Sequence, residues 1–181
     1  MADGTALLVI DMQEAVLAGC AGVPGVVARI NTLLGRARQA GVPIVFIQHQ
    51  DAEDPEMTAG SPGWRIVGAL DRRPADPVVA KRHRDSFAAT ELATTLDGFG
   101  AHRLVVTGAQ SDFCVQTTAL SALFHGYDVT LVGDAHTTGP AGLPGGEVSA
   151  DSVIELINSR FATLRQPGRR VEVVPAAALG L

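Results

Sequence analysis

The sequence predicts an α/β protein with a three-layer, Rossmann-like fold, in which helices cover both faces of a six-stranded, mainly parallel sheet. Three observations carry that expectation. Short apolar runs alternate along the chain with helical periods, the pattern of repeated βαβ units. The runs are nearly continuous in Val, Ile and Leu, as strands buried on both faces are. Glycines close the helical periods, as at Gly41 and Gly126.

The elements follow in order. Ala6-Leu7-Leu8-Val9-Ile10 predicts the first strand, 6–10. Pro24 suits a first helical position, and Val26, Val27, Ile30, Leu33, Leu34 and Ala37 recur at helical spacing up to Gly41. A second strand follows at 43–48 and a third at 77–80, with a weaker helical period at 90–97. Leu104-Val105-Val106-Thr107-Gly108 lies in the fourth strand, 103–108, and a helix runs over 111–125. The fifth strand is 128–133, a helix at 147–163 buries Ile154, Ile157 and Phe161 along one stripe, and the last strand is 170–174. Two connections exceed the usual 2–6 residues and read as lids or binding loops. Loop 50–63 carries Asp51, Glu53, Asp54 and Glu56, and loop 137–146 holds four glycines and two prolines.

At 181 residues the chain is expected to form one domain, 1–181, burying roughly 70% of its unfolded surface. A net charge of −5 offers no cationic footprint for nucleic acid or anionic lipid. The N-terminal apolar run is flanked by Asp3 and Asp11 and lacks a cationic lead, so it does not read as a signal peptide, and no stretch approaches the ~20 apolar residues of a membrane span. Two cysteines, Cys20 and Cys114, make no disulfide framework, so a cytoplasmic location is expected.

Thirteen arginines stand against a single lysine, Lys81, which ends the run Pro77-Val78-Val79-Ala80. Where a solvated cation would ordinarily be another arginine, this exception points to a need for a primary amine. The first strand runs into Asp11, and the fourth leads through a short turn to Cys114. In an open parallel sheet, ligands collect outside the carboxyl ends of the strands, so the three groups can meet in one cleft. Cysteine is a nucleophile as thiolate, and its pKa falls at a helix N-terminus beside a cation. With Ser111 as helix cap and Lys81 as cation, Cys114 is expected to be activated in this way. Asp11 is the natural acceptor of the thiol proton, and the unpaired N–H groups near Gln110 and Cys114 can face an oxyanion. The plain alternatives are a core cysteine, a loop-capping aspartate and a solvated lysine. Three such residues on three strand ends favour the catalytic reading. Neither G-x-G-x-x-G nor G-x-x-x-x-G-K-[ST] occurs, which argues against nucleotide binding.

Asp11-Met12-Gln13, Lys81 followed by Asp85-Ser86-Phe87, and Gly108-Ala109-Gln110-Ser111-Asp112-Phe113-Cys114-Val115 resemble the isochorismatase-like cysteine hydrolases. The resemblance covers nearly the whole chain, including Gly126-Tyr127-Asp128-Val129 and Val132-Gly133-Asp134-Ala135. It implies a catalytic triad at Asp11, Lys81 and Cys114, and a cis peptide at Ala109–Gln110 that aims the Gln110 and Cys114 amides at the oxyanion. The usual Thr three residues before the cysteine is Ser111 here. The family's isochorismatases cleave a vinyl ether and do not all need a cysteine, so Cys114 favours hydrolysis of a C–N bond through a thioester.

The resemblance also implies a homodimer or homotetramer acting on a small molecule. Metal-binding relatives carry Asp-x-His after the second strand, whereas this stretch reads Gln48-His49-Gln50-Asp51, so no metal or other cofactor is expected. His83, His102, His125 and His136 show no ligand spacing. The pocket candidates are Gln13, His49, Trp64, Phe87, Gln110 and Phe113, with a structural role as the alternative for His49 and ordinary core packing for Trp64 and Phe113. The acidic stretch 51–56 reads as a solvated loop or as an attractor of cationic substrates such as basic amides or streptothricin, a substrate class of this family. Two alternatives to amide hydrolysis stay open, an isochorismatase-type ether hydrolase and a non-catalytic or redox-sensing α/β domain.

Overall fold

A computed structural model describes residues 4–181. Residues 1–3, including the Asp3 of the N-terminal reading, lie outside the described residues. The strands β1 (Thr5–Ile10), β2 (Ile44–His49), β3 (Val78–Lys81), β4 (Arg103–Ala109), β5 (Asp128–Thr137) and β8 (Val171–Val174) form one sheet in the order β3-β2-β1-β4-β5-β8. Every pairing is parallel, so the expected mainly parallel sheet is wholly parallel. The chain builds outward from β1 through β2 to β3, then returns to place β4 on the other side of β1. The carboxyl ends of β1 and β4 therefore flank the topological switch point, where such sheets hold ligands.

Strand periodicity divides the core into two layers. Leu8 and Ile10 pack with Val45, Leu104 and Val106 beneath α3 (Leu92–Gly98), α4 (Gln116–Phe124) and α5 (Ala150–Thr163), which contribute Leu96, Ala119 and Ile157. Leu7 and Val9 face the opposite way, against Ile30, Leu33 and Leu34 of α2 (Val23–Ala40). Those three α2 residues are fully buried, each contributing about 1.5–3 kcal/mol by leaving water. Gly41 closes α2 in the left-handed conformation, as its position predicts. None of the helices among the described residues is long and apolar enough to cross a membrane.

Several elements differ from expectation. The edge strands are not buried on both faces: Val78 and Ala80 of β3 are exposed, and β8 is half-buried throughout. β5 continues to Thr137, beyond 133, after a register irregularity against β4 between Val106 and Gly108. The Gly/Pro-rich loop contains a small hairpin, β6 (Ala141–Leu143) with β7 (Gly146–Val148). A four-residue helix, α1 (Glu14–Leu17), follows β1. α5 starts at Ala150, later than 147, because Ser149 caps it by accepting the Ser152 N–H. On α5, Val153 joins Ile157 and Phe161 in the buried stripe, and Ile154 is only partly covered. The helix expected over 111–125 is divided into a π-turn, Ser111–Val115, and α4.

Candidate active site

The strand ends bring the three reactive groups together. Asp11 follows β1 with φ +47°, a left-handed backbone that non-glycine residues seldom adopt and that clusters at functional sites. Lys81 ends β3 opposite His49 of β2, and its stem reaches inward until Nζ lies 2.6 Å from Asp11 Oδ2. The same nitrogen donates to Cys114 Sγ at 3.2 Å and to the carbonyl of His83 at 3.0 Å, with His49 Nδ1 at 3.3 Å. A single ammonium therefore touches both the carboxylate and the thiol.

Electrostatics corrects one expectation. The Cys114 thiol is pushed up to about 12, chiefly by burial and then by the negative charge of Asp11, with Lys81 opposing. The sequence shows the cation and the carboxylate but not the dry surroundings, and burial together with the Asp11 charge outweighs Lys81. Asp11 is also raised, first by burial, against the pull of Lys81 and the Cys114 thiol. Burial, with help from the Lys81 charge, lowers His49 and favours the neutral imidazole that can accept from Nζ. Burial and the Asp11 charge thus favour the protonated thiol, beside a carboxylate whose own proton affinity burial raises.

The turn carrying Cys114 has a defined entry. The Ala109–Gln110 peptide is cis, as the resemblance implied. Just before it, Gly108 holds φ +118°, and a Cβ there would run into the Ile10 backbone, so only glycine fits. The Gln110 carbonyl then accepts from Val115, the five-residue bond that shapes the π-turn. Ser111 does not cap this turn. Its hydroxyl lies against His136 Nδ1 at 2.7 Å, and no side chain caps the N-terminus. The Gln110 amide reaches sideways to the carbonyl of Val16 at 2.9 Å and to Cys20 Sγ at 3.5 Å.

A cavity of about 380 Å³ opens over these groups, lined by Asp11, His49, Gln110, Phe113 and Cys114 together with Asp54, Glu56, Met57 and Arg84. A wider cleft of about 500 Å³ between α4 and α5 is lined by Gln116, Leu120, Arg160, Phe161 and Thr163, with no thiol, carboxylate or imidazole in its wall. Chemistry, not volume, singles out the smaller one. His49 and Phe113 line it as expected, and Gln13, Trp64 and Phe87 do not. Gln13 is fully buried and braces the backbone, donating to the carbonyls of His49 and Trp64 and accepting the His49 N–H. Trp64 faces a separate cleft with Gln48, Arg65 and Val78. Phe87 stacks on His125 at 4.5 Å and Tyr127 at 5.7 Å in the core. Of the acidic stretch, Asp54 and Glu56 reach the cavity, whereas Asp51 and Glu53 do not line it.

Arg84 and Met57 were missed. Arg84 lies three residues past Lys81, its guanidinium 4.2 Å above the Phe113 ring. Its loop is pinned by Ser86 to Thr118 at 2.8 Å and by Ser121 to Asp85 at 2.8 Å, which accounts for the Asp85-Ser86-Phe87 segment. The one sequence signal for Arg84 was its nearness to Lys81. Among the described residues, no three His, Cys, Asp or Glu side chains converge in a group able to hold a metal ion.

Residues 5–163 match the isochorismatase domain family. A streptothricin hydrolase of Streptomyces noursei is 38% identical over 176 residues, covering 96% of this chain and 63% of that protein, so the chain spans less than two thirds of that relative. The ureidoacrylate amidohydrolase RutB of Serratia proteamaculans is 29% identical over 176 residues, covering 75% of this chain and 71% of that one. An isochorismatase crystal structure from Pseudomonas putida superimposes with a TM-score of 0.85 at 29% identity, covering 97% of this chain and 90% of that one. With the family match spanning most of the chain and the sheet superimposing on this fold, the chain belongs to the isochorismatase family of hydrolases.

Proposed function

We propose that the chain is a cysteine amidohydrolase that acts on a small molecule as a single domain, 1–181. The carrying observation is Lys81 Nζ, within reach of both Asp11 Oδ2 at 2.6 Å and Cys114 Sγ at 3.2 Å. As Cys114 Sγ attacks the substrate carbonyl carbon, its proton passes to Asp11, whose raised proton affinity suits a general base. The carbonyl oxygen takes the displaced electron pair and is received by the backbone amides of Gln110 and Cys114. Collapse breaks the C–N bond, and Asp11 returns the proton to the departing nitrogen. Water deprotonated by Asp11 then attacks the thioester, releasing the acid and restoring the thiol. Lys81 balances the charge on Asp11 and on sulfur throughout, and no step calls on a metal.

Asp54 and Glu56 in the cavity wall favour a substrate bearing a cationic group. The S. noursei relative is named for streptothricin, and such basic amides are the first class to try. Ether hydrolysis is the alternative reading, and a redox-sensing thiol is a third. We further propose a homodimer or homotetramer, and a cytoplasmic location suited to two unpaired cysteines. Light scattering on the eluting protein tests the first of these, and a monomer refutes it.

The test of activity is mass spectrometry of a panel of streptothricin, other basic amides, ureido acids and isochorismate. Gain of one water with cleavage at a C–N bond is expected from wild type and absent from Cys114→Ala and Asp11→Asn. Cleavage of isochorismate alone, or near-wild-type turnover by Cys114→Ala, overturns the reading.

A further inference from the structure

Behind the π-turn runs a chain of polar groups that the proposed reaction does not use. Ser111 is fully buried and His136, near the end of β5, is 2% exposed. Ser111 Oγ lies 2.7 Å from His136 Nδ1, His136 Nε2 lies 2.9 Å from Asn158 Oδ1 on α5, and Asn158 Nδ2 donates to the carbonyl of Gly133 at 2.9 Å.

The proton positions follow from the far end. The Gly133 carbonyl can only accept, so the Asn158 nitrogen faces it and the Asn158 oxygen faces the ring. His136 Nε2 must then carry the hydrogen, and burial keeps the imidazole neutral, which leaves Nδ1 bare. The Ser111 hydroxyl therefore donates to Nδ1. Each member has one role, and the series ends on the first residue of the turn that holds Cys114.

A buried histidine with both nitrogens partnered is ordinarily a piece of satisfied core. This one is set apart by what it ties together. Its bonds join α5, β5 and the π-turn and hold the Ser111 hydroxyl at the head of the nucleophile's turn, next to the bond from the Thr138 hydroxyl to Asp112 Oδ1 at 2.6 Å. We infer that His136 and Asn158 are positioning residues for the nucleophile, acting through Ser111 to hold Cys114 Sγ against Lys81 and Asp11. The inference rests on the reading of Cys114 as nucleophile.

The test is the pH dependence of Cys114 alkylation by iodoacetamide, read by peptide mass spectrometry with Cys20 as internal control, in full-length wild type, Ser111→Ala, Ser111→Thr, His136→Gln and Asn158→Ala. A released turn lets the thiol leave its dry site beside Asp11 and behave as an ordinary thiol, so alkylation at pH 8 should quicken by on the order of 10-fold or more in the Ala and Gln variants. Ser111→Thr keeps the hydroxyl and should keep the wild-type profile, and Cys20 should be unchanged in all. Wild-type Cys114 profiles in both Ser111→Ala and His136→Gln overturn the inference while leaving the proposed function standing. Acceleration of Cys20 together with Cys114 reports general loosening and counts against a positioning role. If wild-type Cys114 already behaves as an ordinary thiol, the turn restrains nothing that these residues could release, and the inference is overturned while Cys114→Ala still tests the nucleophile.

Discussion

Lys81 Nζ and Asp11 Oδ2 stand 2.6 Å apart with their side chains 0% and 1% exposed, an ion pair closed off from water. Dehydrating both charges is expensive, and their attraction repays it only with further hydrogen bonds, which Lys81 finds in the His83 carbonyl and Cys114 Sγ. A pair serving stability alone could be replaced by apolar residues. This one is reasonable where both charges act on a third group.

Removing one partner leaves the other charge buried and alone. Lys81→Met should lower unfolding free energy at neutral pH by about 3–5 kcal/mol, with Asp11→Asn/Lys81→Met recovering part of the loss, as measured by urea denaturation. The pH trend has a definite sign. Burial raises Asp11 above its ordinary 3.8 even with Lys81 present, and without Lys81 it rises further. Folded Lys81→Met then holds a proton that the unfolded chain has released, so its stability is greatest in acid and falls as pH climbs from about 4 through the folded value. A variant that gains stability over that range contradicts the account.

Gln13 is a second structural control. Its side chain ties β2's end to the loop after it, and the neighbouring backbone bonds of Glu14 to Arg65 and Ala15 to Gly63 continue the seam. Gln13→Ala strands the His49 N–H and carbonyl, while the Trp64 carbonyl keeps Gln48 as a donor. The expected loss is roughly 2–4 kcal/mol in urea unfolding, since each buried orphan costs about 1–3 kcal/mol. A loss under about 0.5 kcal/mol, the scale of a neutral surface change, removes the bracing role.

Asp54 and Glu56 are exposed on the cavity rim, so each is expected to contribute only about 0.2–1 kcal/mol toward a cationic substrate. The double variant Asp54→Asn/Glu56→Gln should raise KM for a basic amide by about 3- to 10-fold with kcat little changed, and added salt should erase the difference. An unchanged KM at low salt removes the cationic-substrate reading.

The sequence displayed the sheet because its buried strands are unbroken Val/Ile/Leu runs, and it displayed the meeting of Asp11, Lys81 and Cys114 because all three stand at or just beyond strand ends. It concealed what depends on direction. Gln13, Trp64 and Phe87 were near Asp11, Lys81 or Cys114 in sequence or by motif, and only the path of the backbone shows that Gln13 turns inward, Trp64 turns to another cleft and Phe87 packs on Tyr127. The hairpin at Ala141–Leu143 was hidden by glycines and prolines that more often mark irregular loops. Ser111 read as a cap because nothing in the chain announced that His136, 25 residues on, would claim its hydroxyl. The proton affinity of Cys114 was misjudged for a related reason, because charge is written in the sequence and burial is not.

On the proposed mechanism, burial and then the Asp11 charge keep Cys114 protonated in the resting protein, and Asp11 takes its proton during attack. The most direct measurement is the rate of Cys114 alkylation by iodoacetamide from pH 6 to 10 in wild type and Asp11→Asn, alongside hydrolysis of a substrate from the panel. With its thiol held near 12, wild type should alkylate slowly and show no plateau in this range. Asp11→Asn removes the repelling charge and leaves Lys81 beside the sulfur, so alkylation at pH 8 should become faster while hydrolysis is lost. A wild-type plateau near neutral pH, or slower alkylation in Asp11→Asn, contradicts the claim and points to a preformed thiolate.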